Sequence, residues 1–330
     1  MPPVQTLIGL VGIAKQTGKG AAAASPAYGL GLTDGKVFNV EIDQEPSRLT
    51  LGGNPNDRIA PHAVRTGAHP GMAFTTRAWP RSIPLLWYAA LGTLATTGVG
   101  PYTHTASPGI DLPYLTGFGR LGPSEYMKLP DCKVNELTMS WDERNPLEVE
   151  ADLLGLVPAL GTAPWVPTND ETSQSFYGPQ AGTFQLDVAS AVPATAKVTK
   201  ASLHVNNNLA EVPLSKSILP DDLLPAAQEI DGTITLMPDD LTDWRKAVTG
   251  AAGGVAVSEA VIYGSFSLKV VLDANTDLTL AGIRVPMMTE LPDANAEGGP
   301  AEVELAFSII RPTGGENAFT AAGRNAVAAY

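Results

Sequence analysis

The chain has 330 residues, 44% of them hydrophobic and 17% charged, with 33 Gly, 28 Pro and a formal net charge of −13. That hydrophobic share supports a packed core and excludes global disorder. The acidic balance excludes wrapping of nucleic acid by counterion release, which needs clustered Lys and Arg.

Many turn formers in a sparsely charged chain predict a mainly β (α+β) protein with long loops, not a helical bundle. The length suits one large domain or two ordinary ones. The single cysteine, Cys132, cannot form an internal disulfide and reads as a small buried hydrophobe. Near the start, "LIGLVGIA" (Leu7–Ala14) is too short to span a bilayer and lacks a basic leader, so the chain reads as soluble and made in a reducing cytoplasm, with no membrane partner.

Residues 1–30, with "GKGAAAASPA" in the middle, read as an arm or irregular lead-in. "GIAKQTGKG" (Gly12–Gly20) looks like a phosphate loop at first sight. It has five residues where the motif needs four, and Gly20 stands where Ser or Thr should hold magnesium, so no nucleotide or other cofactor is expected. Short strands are expected at 37–42 and 48–52. Residues 44–81, rich in Gly, Pro, His and Arg, read mainly as a long loop, with room for a strand at 72–78. That loop carries Arg48, Arg58, Arg65, Arg77 and Arg81 against the one acid Asp57 in 48–81, which suggests docking on an acidic neighbour; chance clustering of loop arginines is the bland alternative.

"SIPLLWYAALGTL" (82–94) predicts a helix with Ser82 as N-cap and Pro84 in its first turn. Ile83, Leu86, Trp87, Ala90, Leu91 and Leu94 would form one apolar stripe. The best-patterned stretch follows at 133–155. In "KVNELTMSW", Leu137, Met139 and Trp141 alternate with Glu136, Thr138 and Ser140; after "DERNP", Leu147, Val149, Ala151 and Leu153 alternate with Glu148, Glu150 and Asp152. Period-two alternation on both sides of a short turn predicts a hairpin with one apolar and one acidic face.

Further strands are expected at 202–207, 232–236, 265–272 and 302–309, and a terminal strand over the last residues. A helix should run from near Asp240 to Gly250, and a short one at 221–229. The four histidines, His62, His69, His104 and His204, show no metal-ligand spacing and read as surface or loop residues.

The acidic strand admits more than one reading. Glu148 and Glu150 would stand roughly 6.5–7 Å apart along a strand. That matches the carboxyl spacing of an inverting glycosidase, but such pairs flank a substrate from two sides, whereas these two face the same way. A wet face is energetically acceptable, since two such charges repel by about 0.6 kcal/mol in water. What stays open is why Glu136, Glu148, Glu150, Asp152, Glu302 and Glu304 are opposed in these strands only by Lys133 and Lys269.

The ordered series of segments resembles the tail tube proteins of long-tailed bacteriophages. "KVNELTMSWDERNPLEVEADLLGL" resembles that family's central hairpin, and "ASLHVNNNLAEV" its strand ending in an Asn-Asn turn. "IDGTITL", "PAEVELAFSI", the start "GIAKQTGKGAAAASPAYGL" and the ending "NAVAAY" fall where the family has similar segments, although Gly323-Arg324 stands before Asn325 where the family usually has Val-Thr. The resemblance implies a single tail-tube domain over 1–330, a β-sandwich or barrel of long antiparallel strands with flanking helices, whose second half occupies 200–330. It implies a structural protein rather than an enzyme, forming hexameric rings stacked into a hollow tube in the virion tail. The implied partners are other copies of itself, the tape measure protein, the tail terminator and the distal tail proteins, with DNA passing through the lumen unbound; the length leans toward a non-contractile tail. On this reading Glu136, Glu148, Glu150 and Asp152 face the lumen, and Arg58, Arg65 and Arg77 lie in an inter-subunit loop. The alternatives are another oligomeric virion component, such as a decoration or baseplate protein, and a carbohydrate-active enzyme using Glu148 and Glu150.

Overall fold

Alternating apolar and polar residues leave most of this chain one way to bury its hydrophobic side chains, as strands with one dry face. The structure, a computed structural model, describes residues 9–47, 62–122, 124–142, 145–171, 174–176, 182–187, 194–195, 197–237, 242–289, 302–311 and 314–330. The strand expected at 48–52, Arg58 and the helix start at Asp240 lie outside the described residues.

In chain order the first elements are β1 (Gly9–Lys15), β2 (Tyr28–Ser47), β3 (His62–Arg77) and helix α1 (Ile83–Leu91). Next come β4 (Gly92–Thr97), β5 (Tyr102–Pro108), β6 (Leu115–Leu121), β7 (Glu125–Asp142) and β8 (Glu148–Leu154). Four short strands follow, β9 (Ala159–Leu160), β10 (Asn169–Asp170), β11 (Gly182–Asp187) and β12 (Ala194–Thr195). The second half holds β13 (Val198–Asn206), β14 (Ala210–Pro213), β15 (Pro220–Leu224), β16 (Glu229–Leu236), helix α2 (Thr242–Thr249), β17 (Tyr263–Asp273), β18 (Thr276–Thr289), β19 (Val303–Ser308) and β20 (Phe319–Asn325).

The 133–155 hairpin forms as its alternation requires. β7 and β8 pair antiparallel with Leu137 opposite Ala151 and Met139 opposite Val149. Around it runs a long sheet in the order β2–β3–β8–β7–β13–β16–β19–β18. A second sheet runs β12–β11–β17–β18–β20–β5–β4 and shares β18 with the first. β2 and β7 also serve two neighbourhoods each. Their early residues pair with β1 and β6 and their later ones with β3 and β8, so β1, β2, β3, β8, β7 and β6 close into a small barrel.

The core lies between the sheets. Leu137, Met139, Val149, Ala151, Leu153, Leu203, Val205 and Leu305 enter it from the long sheet; Phe266, Leu268, Leu280 and Phe319 enter it from the second. Phe266 meets Phe307 across the gap at 4.9 Å, and Trp87 of α1 meets Phe319 at 5.7 Å. Each large side chain buried this way contributes about 1.5–3 kcal/mol.

Helix α1 sits inside this core, and every one of its residues but Tyr88 is buried. A single stripe was the expectation; a helix apolar on all sides is instead enclosed. Ser82 occupies the N-cap position, but its side chain makes no capping bond, and its N–H donates to Glu171 Oε1 at 2.7 Å. The helix stops at Gly92, whose φ of 102° suits glycine alone and where a Cβ would come within 2.5 Å of the Asp111 carbonyl oxygen. Leu94, placed in the helix by periodicity, belongs to β4.

Three other expectations are corrected. Residues 9–15 are no irregular arm; they form β1, paired on both sides. Most of the supposed loop at 44–81 is strand. β2 and β3 make one long hairpin, and from His62 to Pro70 β3 has β2 as its only strand partner among the described residues, so this part projects beyond β8. No helix forms at 221–229; its first part is β15 paired with β14, because Pro225, in the middle of that segment, biases Leu224 toward extended backbone and lacks the N–H that a helix interior needs.

Candidate functional site: an acidic sheet face

The face of the long sheet turned away from the core carries the residues that chain alternation excludes from it. Cross-strand register orders them in rows. One row runs Arg77, Glu148, Ser140, Ser202 and Thr233 across β3, β8, β7, β13 and β16. The next runs Thr75, Glu150, Thr138, His204 and Asp231, and the third Ala73, Asp152, Glu136, Asn206 and Glu229. Glu148 and Glu150 are exposed, and Glu136 and Asp152 are half-buried. All four carboxylates named from sequence therefore share one surface, and the register adds Asp231 and Glu229 from a strand 80 residues or so further on.

The electrostatics follow from this crowding. Asp152 has its pKa raised, first by burial and then by the neighbouring charges of Glu136 and Glu150; a hydrogen bond from Asn135 Nδ2 at 3.3 Å works the other way. His204 stands between two carboxylates, with Nε2 3.7 Å from Glu136 and Nδ1 3.6 Å from Asp231. Hydroxyl side chains fill the positions between the acids.

The cations are placed differently from the sequence reading. Arg77 and Arg65 lie on β3, not in a loop. Arg77 is opposite Glu148 and so on the acidic face itself, whereas Arg65 pairs with Gln44 on the projecting hairpin and is exposed. Lys133 does not neutralise the acidic strands: it is buried, donates to the Leu223 carbonyl oxygen at 2.7 Å and lies 4.3 Å over the Tyr114 ring. Burial lowers its pKa, against the pull of Asp222 and Asp111. Lys269 pairs with Asp277 at 3.3 Å.

One histidine departs from the expectation of surface or loop residues. His104 is fully buried, with Nδ1 2.9 Å from Thr96 Oγ1, Nε2 2.8 Å from the Val327 carbonyl oxygen and the Tyr330 ring edge-on at 4.6 Å; burial lowers its pKa. His69 is held at both ring nitrogens, by Asp43 at 3.0 Å and Glu211 at 2.6 Å, and these bonds raise its pKa. Cys132 is buried as expected, and burial pushes its thiol up to about 12.

Sequence reasoning missed the work of Asn207. It is buried, and its Nδ2 donates to the Ala90 carbonyl oxygen at 3.0 Å and the Val134 carbonyl oxygen at 2.9 Å, while Gln228 Nε2 donates to its Oδ1 at 2.8 Å. It thus ties the end of α1 to β7. The "VNNN" run was the available signal.

Chemically, this face repels polyanions and offers water-exposed carboxylates. Among the described residues no group of three or more His, Cys, Asp or Glu is placed to hold a metal ion, and no described helix is long and apolar enough to cross a membrane. Glu148 and Glu150 project side by side from one strand, not from two walls of a cleft. An open cleft of about 290 Å³ lies elsewhere, lined by Pro108, Ile110, Ile230, Ile309, Arg311 and Glu316 among others.

The chain is thus a mainly β scaffold with a wet acidic sheet face. The family model of the phage tail tube protein matches residues 7–310, and the chain belongs to that family. It is a structural protein of the virion tail, of a kind that self-assembles into a tube with other tail proteins. No curated protein matches the chain.

Proposed function

We propose that this chain assembles into hexameric rings that stack into the tail tube, and that Glu136, Glu148, Glu150 and Asp152 line the bore through which DNA is ejected. The observation that carries this reading is the acidic face: the carboxylates of β7 and β8 share one wet surface, opposite the core. Six copies at −13 each give a ring a formal charge of −78. A carboxylate wall gives DNA, itself a dense polyanion, no place to adhere. Screening confines the repulsion to about 8 Å at physiological salt, so it acts at close approach without blocking passage. The projecting β2–β3 hairpin, with Arg65 on it and Arg58 in the segment joining its strands, docks on a neighbouring subunit or ring. The tape measure protein occupies the bore before ejection, the tail terminator and distal tail proteins close the tube's ends, and the tail is non-contractile.

Electron microscopy of the concentrated purified protein tests this. Stacked rings with sixfold symmetry and the β7–β8 carboxylates facing a water-filled bore are expected. A protein that stays monomeric at every concentration, or a tube with those carboxylates outside or in a dry contact, refutes it.

A further inference from the structure

Beyond β8 the β2–β3 hairpin runs on as a two-stranded ribbon, and its direction depends on what holds it at the root. The Gly155 N–H donates to the Pro70 carbonyl oxygen at 2.9 Å, and His69 is the next residue outward. One step further the Ala68 N–H donates to the Ile218 carbonyl oxygen at 2.8 Å. Ile218 lies in the turn between β14 and β15, which form a two-stranded sheet of their own. That small sheet is fastened to the body. Leu223, opposite Glu211 in its ladder, accepts from the buried Lys133 at 2.7 Å, and the Leu209 N–H donates to Asn135 Oδ1 at 3.1 Å.

His69 bridges the ribbon and this sheet. Its Nε2 stands 3.0 Å from Asp43 Oδ2 within the ribbon, and its Nδ1 stands 2.6 Å from Glu211 Oε2 on β14. Gly67, opposite Asp43, leaves the room: a Cβ there would come within 3.0 Å of Asp43 Oδ2 and 3.3 Å of His69 Nε2. An imidazolium donates from both nitrogens and satisfies both carboxylates. A neutral ring has one N–H, so it donates to one carboxylate and turns a lone pair on the other. The charges around it favour the imidazolium. From β2, Glu41 stands directly opposite His69. From β15, Asp221 and Asp222 are engaged by Lys19 at 3.5 and 3.6 Å. Arg65 on β3 and Lys216 in the turn are exposed, and among the described residues neither pairs with Asp43 or Glu211.

We infer that His69 is a charge-operated clamp at the root of the ribbon: protonated, it pins the ribbon to the β14–β15 sheet through Asp43 and Glu211, and neutral, it lets the ribbon swing. The bonds to Asp43 first and then Glu211 raise the pKa of His69 above its ordinary 6.5. The clamp is therefore fully closed below 6.5 and opens as pH rises through the raised value. His204 also stands between two carboxylates, but at 3.6 and 3.7 Å and within one continuous sheet, so its charge joins no parts that could separate. The clamp belongs to a single chain and needs no tube; it governs the direction of the part proposed above to reach a neighbour.

The test uses the dilute full chain as parent, His69→Gln and Glu211→Gln. Amide hydrogen exchange at Ala68, corrected for the intrinsic rate at each pH, reads whether the ribbon is pinned. In the parent the protection should fall by about fivefold between pH 6 and pH 9. His69→Gln, which cannot charge, should show the same protection at both pH values, and Glu211→Gln should show a smaller fall than the parent. In the parent the ring-proton NMR signal of His69 should titrate above 6.5, and in Glu211→Gln it should titrate lower than in the parent. Ala68 protection equal at pH 6 and pH 9 in the parent overturns the clamp, as does an equal fall in His69→Gln or a parent His69 that titrates at or below 6.5. Tubes built from a chain whose Ala68 protection ignores pH would sink the clamp and keep the tube reading. A working clamp in a chain that never assembles would do the reverse.

Discussion

Replacing Glu148 and Glu150 together by Lys separates the charge of the acidic face from its fold. Glu148 faces Arg77 across the β8–β3 ladder. At a cross-strand distance of about 5 Å in water that pair attracts by about 0.8 kcal/mol, and Glu148→Lys turns this into a repulsion of similar size, a loss of about 1.6 kcal/mol. Glu150 has Glu148 and Asp152 two residues away on either side, each about 7 Å off and repelling by about 0.6 kcal/mol. In the double variant the mutual repulsion of positions 148 and 150 is unchanged in size, while the repulsion between 150 and 152 becomes an attraction, a gain of about 1.2 kcal/mol. The net cost is about 0.4 kcal/mol before screening, too small to compromise folding. On the proposed reading the lumen changes far more. The net charge of each subunit rises by four units, so a six-membered ring goes from −78 to −54, and the change falls on two rows of the proposed wall. Phage carrying the double variant should form tails of normal length and eject DNA more slowly, with the delay shrinking as salt rises. Fluorescence from a DNA-binding dye after receptor-triggered ejection reads the rate. Ejection at the parent rate at low salt, in phage whose tails are intact, refutes the reasoning.

Asn207→Asp is nearly isosteric but takes both donors from the buried Ala90 and Val134 carbonyls and adds a charge, so it should cost at least about 3 kcal/mol in urea unfolding of the monomer, more than Asn207→Ala at about 2; a loss under about 1 kcal/mol for the Asp variant would show that these bonds do not hold α1 to β7. Asp152 has its pKa raised in the folded state by burial and by Glu136 and Glu150, so its contribution is most favourable below its ordinary 3.8 and is lost as pH rises through the folded value. Asp152→Asn keeps an acceptor for Asn135 and removes the charge; its Tm should equal or exceed the parent's at pH 7, with the advantage shrinking as pH falls toward 3.8, and a lower Tm at pH 7 would contradict this.

How much of this was legible in the chain depends on how many constraints each segment carried. The β7–β8 hairpin was readable because both strands alternate strictly and the turn between them is short. Helix α1 was readable as a helix, but its full enclosure was not, since periodicity gives a stripe and says nothing of what covers the other side. Within β3 only the part from residue 72 is legible as strand; Gly, Pro, His and Arg dominate the rest, a two-stranded ribbon with little core to fill, so no hydrophobic pattern marks it. β1 was lost for a similar reason, its small residues Gly9, Gly12 and Ala14 giving weak alternation. The four carboxylates were found because they share parity along the chain. Arg77, Asp231 and Glu229 join them through strand order, which no local pattern carries.

The parity itself limits what the acidic face can mean. A slip of one residue in β7 or β8 would expose Leu137, Met139, Val149 and Leu153 and bury the acids, so the register that builds the core also fixes which positions are wet. What those wet positions hold is a separate matter. Ser140, Thr138, Ser202 and Thr233 show that hydroxyl side chains fit the same rows, with no charge to crowd. The charged form of Asp152 works against the fold, since burial first and then the charges of Glu136 and Glu150 raise its pKa. Folding thus accounts for where the acids point and not for their being acids. On the proposed reading the reason for their charge lies in what the face meets, a polyanion that must pass without adhering, which a dense negative surface suits.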